Sequence, residues 1–385
     1  MRFADNRNKI GKYIPAVVFL IFIYGMALWF IFSPKPDYSS SEKRYLQKFP
    51  EVTAEKLLSG DFGSEFETFF ADRFPQRNTW VGLNAYTALA EGNNGASGVY
   101  NCKNGYLINK PVSTENNLDK NIGAVADFAK SIDTPTTVML VPSTGYIVDD
   151  VLPTFHDKYN DDEDISKISS TLSKDKIGFV DLRERFKSEY KNGSQLYYKT
   201  DHHWTTKGAY TGYQELCKAL GITPIDDSTL KKDSYPDFYG TTYSSSGFWL
   251  TPPDNIEIWN NPKNSDRNIS VKITEGANIK TSGSMYFTDH LKEDDKYPVF
   301  IDGNHALTEI TNTNAKNGTI LLIKHSFSHS LAPFLAENYS KVVLVDLRYY
   351  KESVSDLVTT YNPEQVVVLY GIDNLATDTD IVWLK

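Results

Sequence analysis

The hydrophobic pattern of the chain starts with one long uninterrupted apolar segment. Residues 13–32 contain no charged side chain. A helix of this length rises about 1.5 Å per residue and can cross the roughly 30 Å hydrocarbon core of a bilayer. The pattern therefore predicts a transmembrane helix near the N-terminus.

Basic residues precede this apolar segment, at Arg2, Arg7, Lys9 and Lys12. Such a flank stays in the cytoplasm, which would place the rest of the chain outside. A cleaved signal peptide is the alternative, but the run is long and ends in Trp29-Phe30-Ile31-Phe32 rather than in small residues. We predict a single-pass cell-membrane protein with three parts: a cytoplasmic stub and anchor at 1–33, a tether at 34–45, and an extracytoplasmic domain at 46–385.

Further along, apolar positions switch between helical and strand periodicity. A Pro- and Gly-rich segment, near 221–318, is expected to be a loop-rich insertion with short strands. After it, continuously apolar strands alternate with helices, which is typical of a parallel sheet covered on both faces. The predicted elements are helices at 49–80 (broken at Pro75), 115–131, 161–174, 206–220, 330–338 and 353–360, a hairpin at 98–108, and strands at 136–141, 177–182, 319–324, 341–346 and 365–370.

Composition is that of an ordinary folded domain, with 40% hydrophobic and 23% charged residues. The formal net charge of −9 argues against nucleic acid as a partner, because binding to phosphates requires a basic face. Cys102 and Cys217 are the only cysteines. Two cysteines do not make a disulfide framework, so we expect free thiols, with a single disulfide as the alternative.

The stretch Asp201-His202-His203-Trp204 is the strongest chemical signal. A carboxylate two residues from an imidazole can orient the ring and fix its tautomer. Because neighbouring side chains alternate in direction along an extended segment, His202 is expected to point away from His203, and Trp204 to pack beneath the site. The alternative is a polar loop whose histidines only satisfy hydrogen bonds.

A candidate nucleophile, Ser326, follows the apolar strand 319–324 and precedes a helix. Ligands of parallel α/β sheets gather at the carboxyl ends of strands, and an amide at a helix start suits an oxyanion. The hypothesis is that Ser326 attacks, His203 takes its proton and Asp201 orients His203. The alternative is that Ser326 or Ser328 only caps the helix.

Metal binding is a third interpretation. His325 and His329 have the i, i+4 spacing of helical zinc ligands, and Asp201, His202, His203 and His305 could complete a set. The pair lacks the Glu of a His-Glu-x-x-His motif, so we expect neither a metal nor a soluble cofactor.

The Asp201–Trp204 stretch resembles the signature of the bacterial DHHW family. Further matches cover nearly all of the chain after the anchor: residues 41–46 with Phe49-Pro50, 300–305, 324–326 with 333–335, and 346–350. The family is similar to the SGNH-hydrolase-like acetyltransferases that modify alginate and other exopolysaccharides. The resemblance implies an α/β, SGNH-hydrolase-like fold, with a parallel sheet and helices on both faces, after the transmembrane helix.

In those acetyltransferases an Asp-x-His-Trp motif supplies acid and base, and a Ser in a Gly-Asp-Ser-like turn is the nucleophile. The matching positions are Asp201, His203, Trp204 and Ser326. The residue before the nucleophile, usually Asp, is His325 here. Arg348, after the next strand, is the expected oxyanion or substrate-binding residue, together with His202, His325 and Trp204.

The resemblance therefore implies a membrane-anchored O-acetyltransferase that acts outside the cytoplasm on a cell-surface polymer or exopolysaccharide. A membrane-bound O-acyltransferase is the expected partner, and a polysaccharide the expected acceptor. An esterase of the same fold, and a catalytically silent polysaccharide-binding or assembly factor, are the alternatives.

Overall fold

The computed structural model of the protein describes residues 12–39, 41–112 and 117–384. The chain forms two compact units, which adjoin in sequence between Thr87 and Ala88. The predicted cytoplasmic stub lies outside the described residues except for Lys12 and Tyr13 at its junction with the anchor. Both the predicted tether and residue 46, the predicted start of the main domain, fall in the first unit.

The first unit contains one long apolar helix, several shorter helices and two very short paired strands. Its elements are α1 (Ile14–Phe32), β1 (Tyr38–Ser39), β2 (Arg44–Tyr45), α2 (Ala54–Ser59), α3 (Asp61–Asp72) and α4 (Arg77–Ala90), the last running into the second unit. With a mean hydropathy of 2.4 and no buried residue, α1 is the one helix of the described chain that is long and apolar enough to span a membrane. Signal sequences near an N-terminus share these properties.

Aromatic and ionic contacts hold this unit together. Arg44 binds both carboxylate oxygens of Asp72, at 3.0 and 2.5 Å, and Asp72 also accepts the amide of Gln47 at 2.8 Å. Phenylalanine rings from α1, α3 and the segment between them lie within 4.7 to 6.5 Å of one another, at Phe30, Phe49, Phe62, Phe66, Phe69 and Phe70. The aromatic-rich stretch of the sequence thus forms a packing cluster.

The second unit is built on strands that belong to three sheets. They are β3 (Gly95–Ala96), β4 (Val99–Asn101), β5 (Leu107–Asn109), β6 (Thr136–Val141), β7 (Gly178–Asp181), β8 (Lys231–Phe238), β9 (Asp254–Asn260), β10 (Ile269–Glu275), β11 (Asn278–Ser282), β12 (Leu307–Asn312), β13 (Asn317–Lys324), β14 (Tyr339–Val345) and β15 (Gln365–Gly371).

Its helices are α5 (Leu118–Ser131), α6 (Thr144–Ile147), α7 (Asp161–Lys174), α8 (Arg183–Lys191), α9 (Thr206–Leu220), α10 (Thr241–Ser246), α11 (Ser328–Leu335), α12 (Val354–Tyr361) and α13 (Ile372–Thr377). Single turns of 3₁₀ helix lie at Lys103–Gly105, Asp149–Val151, Asp227–Thr229, Thr288–Lys292, Tyr297–Val299 and Ile381–Trp383. The first two residues of the predicted helix 115–131 lie outside the described residues.

The main sheet has eight strands in the order β11-β10-β12-β14-β13-β15-β6-β7. The strands from β14 to β7 are parallel, whereas β10, β11 and β12 extend one edge in antiparallel fashion. The segment expected to be loop-rich, 221–318, therefore contributes three strands to this sheet and the separate β8–β9 hairpin. The remaining sheet is β3-β4-β5.

The central parallel strands bury both of their faces, whereas the edge strand β7 is partly exposed. In β6, Met139 and Val141 belong to one hydrophobic cluster, and Val138 and Leu140 to another. Residues of α9 and α11 complete the first cluster, and residues of α5, α7 and α12 complete the second. The predicted fold class, a mostly parallel α/β sheet with helices on both faces after an apolar N-terminal helix, is confirmed.

The two cysteines lie inside this unit as buried free thiols, as expected from the sequence. Burial raises the pKa of both Cys102 and Cys217 to about 12. Neither thiol is therefore reactive at neutral pH, because the nucleophilic form is the thiolate.

Candidate active site

Ser326 lies at the carboxyl end of the sheet, in the three-residue link between β13 and α11. Strand β13 is flanked on both sides by parallel strands, β14 and β15. The first turn of the helix forms at once, because the amide of Ser328 donates to the carbonyl of His325 and that of His329 to the carbonyl of Ser326. The helix consequently begins two residues earlier than predicted, and only 7% of Ser326 is exposed.

The Asp-His-His-Trp segment forms a tight bend just before α9. A bridge between Tyr197 and Trp204 closes the bend, and the hydroxyl of Thr205 caps the helix by accepting the amide of Gly208. The fully buried Trp204 donates its indole N–H to the carbonyl of Phe327 at 3.0 Å and to the hydroxyl of Ser330 at 2.9 Å. Trp204 thus joins the histidine bend to the turn that carries Ser326.

Serine, histidine and aspartate meet in a continuous line. His203 Nε2 lies 2.7 Å from Ser326 Oγ, and His203 Nδ1 lies 2.5 Å from Asp201 Oδ1. A carboxylate can only accept, so Nδ1 carries the proton and Nε2 is free to accept from the serine hydroxyl. Asp201 is 1% and His203 4% exposed, so bulk water does not separate these groups.

Asp201 is fixed by four hydrogen bonds. Its Oδ1 also accepts the amide of His203 at 2.8 Å, and its Oδ2 accepts the amide of Thr241 at 2.6 Å and the Thr241 hydroxyl at 3.0 Å. Burial alone would raise the pKa of Asp201, but interactions with His203, His202 and the Thr241 amide hold it well below the usual value. A Cβ on Gly240 would lie 2.1 Å from Asp201 Cβ, so glycine is required for this close approach.

Tyr297, which sequence reasoning did not single out, covers the imidazole of His203. The two rings are stacked, with centroids 4.0 Å apart and an interplanar angle of 10°. The Tyr297 hydroxyl donates to the carbonyl of Ser326 at 3.3 Å. Tyr297 lies in the irregular segment 221–318, where no periodicity marks a residue that reaches the sheet edge.

The expectation that His202 would point away from His203 is wrong. The centroids of the two rings are 3.9 Å apart, and His202 Nδ1 lies 2.7 Å from the hydroxyl of Thr241. The alternation rule fails because the segment bends instead of extending. His202 therefore belongs to the immediate surroundings of His203.

The two other predicted site residues take different places. His325 Nδ1 lies 3.2 Å from Ser326 Oγ, and burial together with the charge of Arg348 holds the pKa of His325 well below its usual value. Arg348 donates from Nε and Nη2 to Asp346, at 2.9 and 2.6 Å, and from Nη2 to Asn304 at 2.8 Å. Within the described chain, no hydrogen bond joins Arg348 to Ser326.

A buried ion cluster, made of Lys324, His329, Asp346 and Arg348, lies beside the serine. Lys324 Nζ, in a residue that is 1% exposed, is 2.8 Å from Asp346 Oδ2 and 2.7 Å from His329 Nε2. Burial lowers the pKa of Lys324 to about 8, although Asp346 opposes that shift. Burial raises the pKa of Asp346, but the hydrogen bond from Arg348 and the charge of Lys324 outweigh it and hold the pKa at about 2.

Metal binding does not fit these contacts. Asp201, His202 and His203 present ligand atoms within 4.8 Å of one another. Both ring nitrogens of His203 already contact Asp201 and Ser326, however, and His329 Nε2 contacts Lys324. His305 is also engaged elsewhere, with Glu275 and Asp302. Both ring nitrogens of His203 and Nε2 of His329 are thus already engaged within the protein, whereas the buried Nδ1 of His329 has no partner among the described side chains.

The fold and this arrangement define an α/β protein in which a serine, a histidine and an aspartate are aligned as in a hydrolase triad. The model of the DHHW protein family matches residues 112–345. The chain therefore belongs to the DHHW family. No curated protein matches the chain in sequence.

Solved structures with the same fold include other members of this class. A DHHW family protein from Eubacterium siraeum is 17% identical, with a TM-score of 0.63 over 75% of this chain and 95% of its own. Bacillus cereus PatB1 with a sulfonyl adduct is 20% identical, with a TM-score of 0.61 over 74% of this chain and 97% of its own. A further PatB1 structure is 20% identical, with a TM-score of 0.59 over 71% of this chain and 96% of its own.

Proposed function

We propose that this protein is a membrane-anchored, extracytoplasmic O-acetyltransferase that modifies a cell-surface polymer or exopolysaccharide through Ser326, His203 and Asp201. The observation that carries the proposal is the line of contacts from Ser326 Oγ through both ring nitrogens of His203 to Asp201, 2.7 and 2.5 Å long. A serine in such a line is activated as a nucleophile by the adjacent base.

In the first half-reaction, Ser326 Oγ attacks the carbonyl carbon of an acetyl ester or thioester. Its proton passes to His203 Nε2, which is 2.7 Å away. The bond between the acetyl carbon and the leaving oxygen or sulfur breaks, and the leaving group takes the proton from His203. General-base assistance of this kind contributes about 100- to 10,000-fold in rate.

In the second half-reaction, a sugar hydroxyl of the polymer attacks the acetyl-serine carbonyl. His203 accepts the hydroxyl proton and returns it to Ser326 Oγ as the acetyl–serine bond breaks. Asp201, whose pKa is held low by His203 and the Thr241 amide against the effect of burial, stays ionised and stabilises the transient imidazolium. No electron transfer is involved, and the groups of the chain are restored.

The low exposure of the serine favours transfer over simple hydrolysis. Only 7% of Ser326 and 4% of His203 are exposed, so water reaches the acetyl-serine poorly unless the acceptor site is open. An esterase would use the same residues with water as the acceptor. We infer transfer as the main reaction because a sugar hydroxyl held beside Ser326 competes well in a site that restricts water.

The apolar helix α1 supports anchoring, with the catalytic unit outside the cytoplasm. The basic residues that precede α1 favour this orientation. An acetyl donor would then have to be delivered across the bilayer, so a membrane-bound O-acyltransferase is the proposed partner. A catalytically silent polysaccharide-binding role is the second candidate, because His325 replaces the usual Asp before the serine.

The first experiment uses the full-length protein in detergent micelles with a Ser-directed fluorophosphonate. We expect labelling that Ser326→Ala abolishes and His203→Ala slows at least 100-fold. Ser328→Ala is the matched control, because Ser328 is a buried serine two residues away whose hydroxyl has no partner in the described chain. A sulfonyl fluoride is a second probe, since PatB1 has been solved with a sulfonyl adduct.

Labelling that survives in Ser326→Ala and disappears in Ser328→Ala would contradict the assignment of the nucleophile. A cellular measurement separates the two functions. Loss of polymer O-acetylation in a strain carrying Ser326→Ala supports the transferase, whereas unchanged acetylation favours the binding or assembly role.

A further inference from the structure

A small cavity adjoins the triad at the carboxyl ends of β6 and β15. Its volume is about 70 Å³. The turn after β6 (residues 142–145) and the turn after β15 (residues 371–374) form half of its wall, and His202, Phe327, Tyr159 and residues 107–109 are among the others that line it. A volume of about 70 Å³ accommodates about two groups of the size of water or a hydroxyl.

The wall of the cavity contains the chain neighbours of the two residues proposed to react. His202 and Phe327 precede His203 and follow Ser326 in sequence, and their rings lie 3.9 and 5.1 Å from the ring of His203. The cavity is therefore one side chain away from the Ser326–His203 pair, neither of which lines it.

Two polar groups in the cavity wall have unused hydrogen-bonding capacity. Asp373 Oδ1 accepts the hydroxyl of Ser143 at 3.1 Å. In the described chain, neither Asp373 Oδ2 nor the side-chain amide of Asn374 takes part in a hydrogen bond. One is an acceptor and the other a donor, which together match a sugar hydroxyl, a group that both donates and accepts.

The wall carries the carboxyl group of Asp373, and His202 is the one basic residue among the described residues that line it. Behind Ser143, the carboxylate of Asp161 accepts the Ser143 amide at 2.7 Å, and Asp161 is 3% exposed. Neither Asp161 nor Asp373 forms a salt bridge with another described residue. Burial raises the pKa of Asp161 to about 7 and that of Asp373 to about 6. An anionic group in the cavity would lie against Asp373, with Asp161 behind Ser143 and no described Lys or Arg in the wall to pair with it.

We propose that this cavity binds the hydroxyl-bearing edge of an uncharged sugar ring of the acceptor, with Asp373 Oδ2 accepting from a hydroxyl and the Asn374 amide donating to one. The inference rests on the proposed function and names its acceptor class as a neutral polysaccharide rather than a uronate- or phosphate-bearing one. Phe327 contributes an apolar part of the cavity wall.

The test measures binding directly, so that it does not depend on the choice of acetyl donor. Full-length protein in micelles is titrated with a neutral chito-oligosaccharide and with an oligogalacturonate, and binding is followed by ligand-observed NMR. The concentration of reactive protein in each sample is first determined by fluorophosphonate labelling, so that misfolded protein does not affect the measured affinity. We expect the neutral oligomer to bind at least tenfold more tightly than the anionic one.

Asp373→Ala and Asn374→Ala should each weaken binding of the neutral oligomer at least tenfold. Asp127→Asn is the control, because Asp127 is an exposed carboxylate on α5. Tighter binding of the oligogalacturonate, no binding of the neutral oligomer, or equal affinities for the wild type and Asp373→Ala would overturn this inference. Labelling that is independent of Ser326 would instead overturn the proposed function, so the two failures are distinguishable.

Discussion

Buried carboxyl groups lie on both sides of Ser326, but among the described residues only those on one side are paired with cations. On the β14 side, the buried carboxylate of Asp346 is neutralised by Lys324 and Arg348, and its pKa is held at about 2 against the effect of burial. On the β15 side, burial raises the pKa of Asp373 to about 6 and that of Asp161 behind it to about 7, and no cation compensates them among the described residues. The β15 side also borders a cavity.

We interpret this difference as a division between structural support of the Ser326 turn and recognition of a ligand. Buried charges that satisfy one another fix the turn before Ser326, but they leave no group with which to bind a ligand. Carboxyl groups without a cation cost stability, and they persist where a ligand uses them. We infer that the β14 side positions the nucleophile and that the β15 side receives the acceptor.

The largest effect is expected from removing a cation that pairs with Asp346 on the β14 side. Lys324→Met removes one of the two cations from Asp346 and leaves a buried carboxylate bound only by Arg348. The free energy of unfolding should fall by about 3–5 kcal/mol, the usual cost of breaking a buried pair. Denaturant titration measures it, with Lys316→Met as the control, because Lys316 is exposed.

A loss below about 1 kcal/mol for Lys324→Met would show that Arg348 alone satisfies Asp346. The contrast between the two sides would then lose its energetic basis.

An intermediate effect is expected from replacing the uncompensated carboxyl group of Asp161 on the β15 side. The pKa of Asp161 is about 7 in the folded protein, against an ordinary value of 3.8, so the folded state binds the extra proton between these pH values. Stability should therefore fall as pH rises from about 4 to about 7, because over this range the unfolded state loses the Asp161 proton while the folded state retains it. Asp161→Asn keeps an acceptor for the Ser143 amide and should be more stable than the wild type by about 1–3 kcal/mol at pH 8.

Denaturant titrations at pH 5 and pH 8 check this prediction for Asp161→Asn. The gain should be smaller at pH 5, where the wild-type carboxyl is protonated. The exposed Asp127→Asn should change stability equally little at both pH values. A gain for Asp161→Asn that is the same at pH 5 and pH 8 would contradict the proton linkage.

The smallest effect is expected for Tyr297, whose ring is close to both His203 and the ion cluster. Tyr297 stacks on His203 at 4.0 Å, and its ring lies 6.0 Å from that of His329 in the ion cluster. Tyr297→Leu removes the flat surface that fixes the His203 ring and should slow the fluorophosphonate reaction about tenfold. Tyr297→Phe keeps the ring, loses the hydroxyl contacts with the Ser326 carbonyl and the Ser330 hydroxyl, and should slow the fluorophosphonate reaction about threefold or less.

The measurement for Tyr297 separates the maximal rate of inactivation from the affinity for the probe. A positioning role lowers the maximal rate, and the phenylalanine variant restores most of it. Equal losses in the leucine and phenylalanine variants would assign the effect to the hydroxyl instead of the stacked ring.

The features of this organisation that depend on short stretches of sequence were predictable. Apolar strands and helices were predictable between residues 319 and 371, because each shows its own periodicity over a few residues. Asp201 and His203 are two residues apart, so their cooperation was also predictable. His202 was placed wrongly because alternation holds only for an extended backbone, and this segment bends.

Long-range contacts were not predictable from local pattern. In the sequence, Lys324 is only the polar residue that ends a strand. Its contacts with Asp346 and His329 arise from the packing of β14 and α11. Tyr297 and the antiparallel strands β10 to β12 lie in a segment with little periodicity. Asp161 and Asp373 are separated by more than two hundred residues and both contact Ser143, an arrangement that only the folded sheet creates.

The order of Asp201, His203 and Ser326 along the chain has a consequence for synthesis. A ribosome makes the acid and the base first, and the alcohol 123 residues after His203. Every nascent chain or proteolytic fragment that ends before β13 lacks the reactive group. Under the proposed mechanism, unintended modification of other molecules is therefore confined to chains whose synthesis has passed β13.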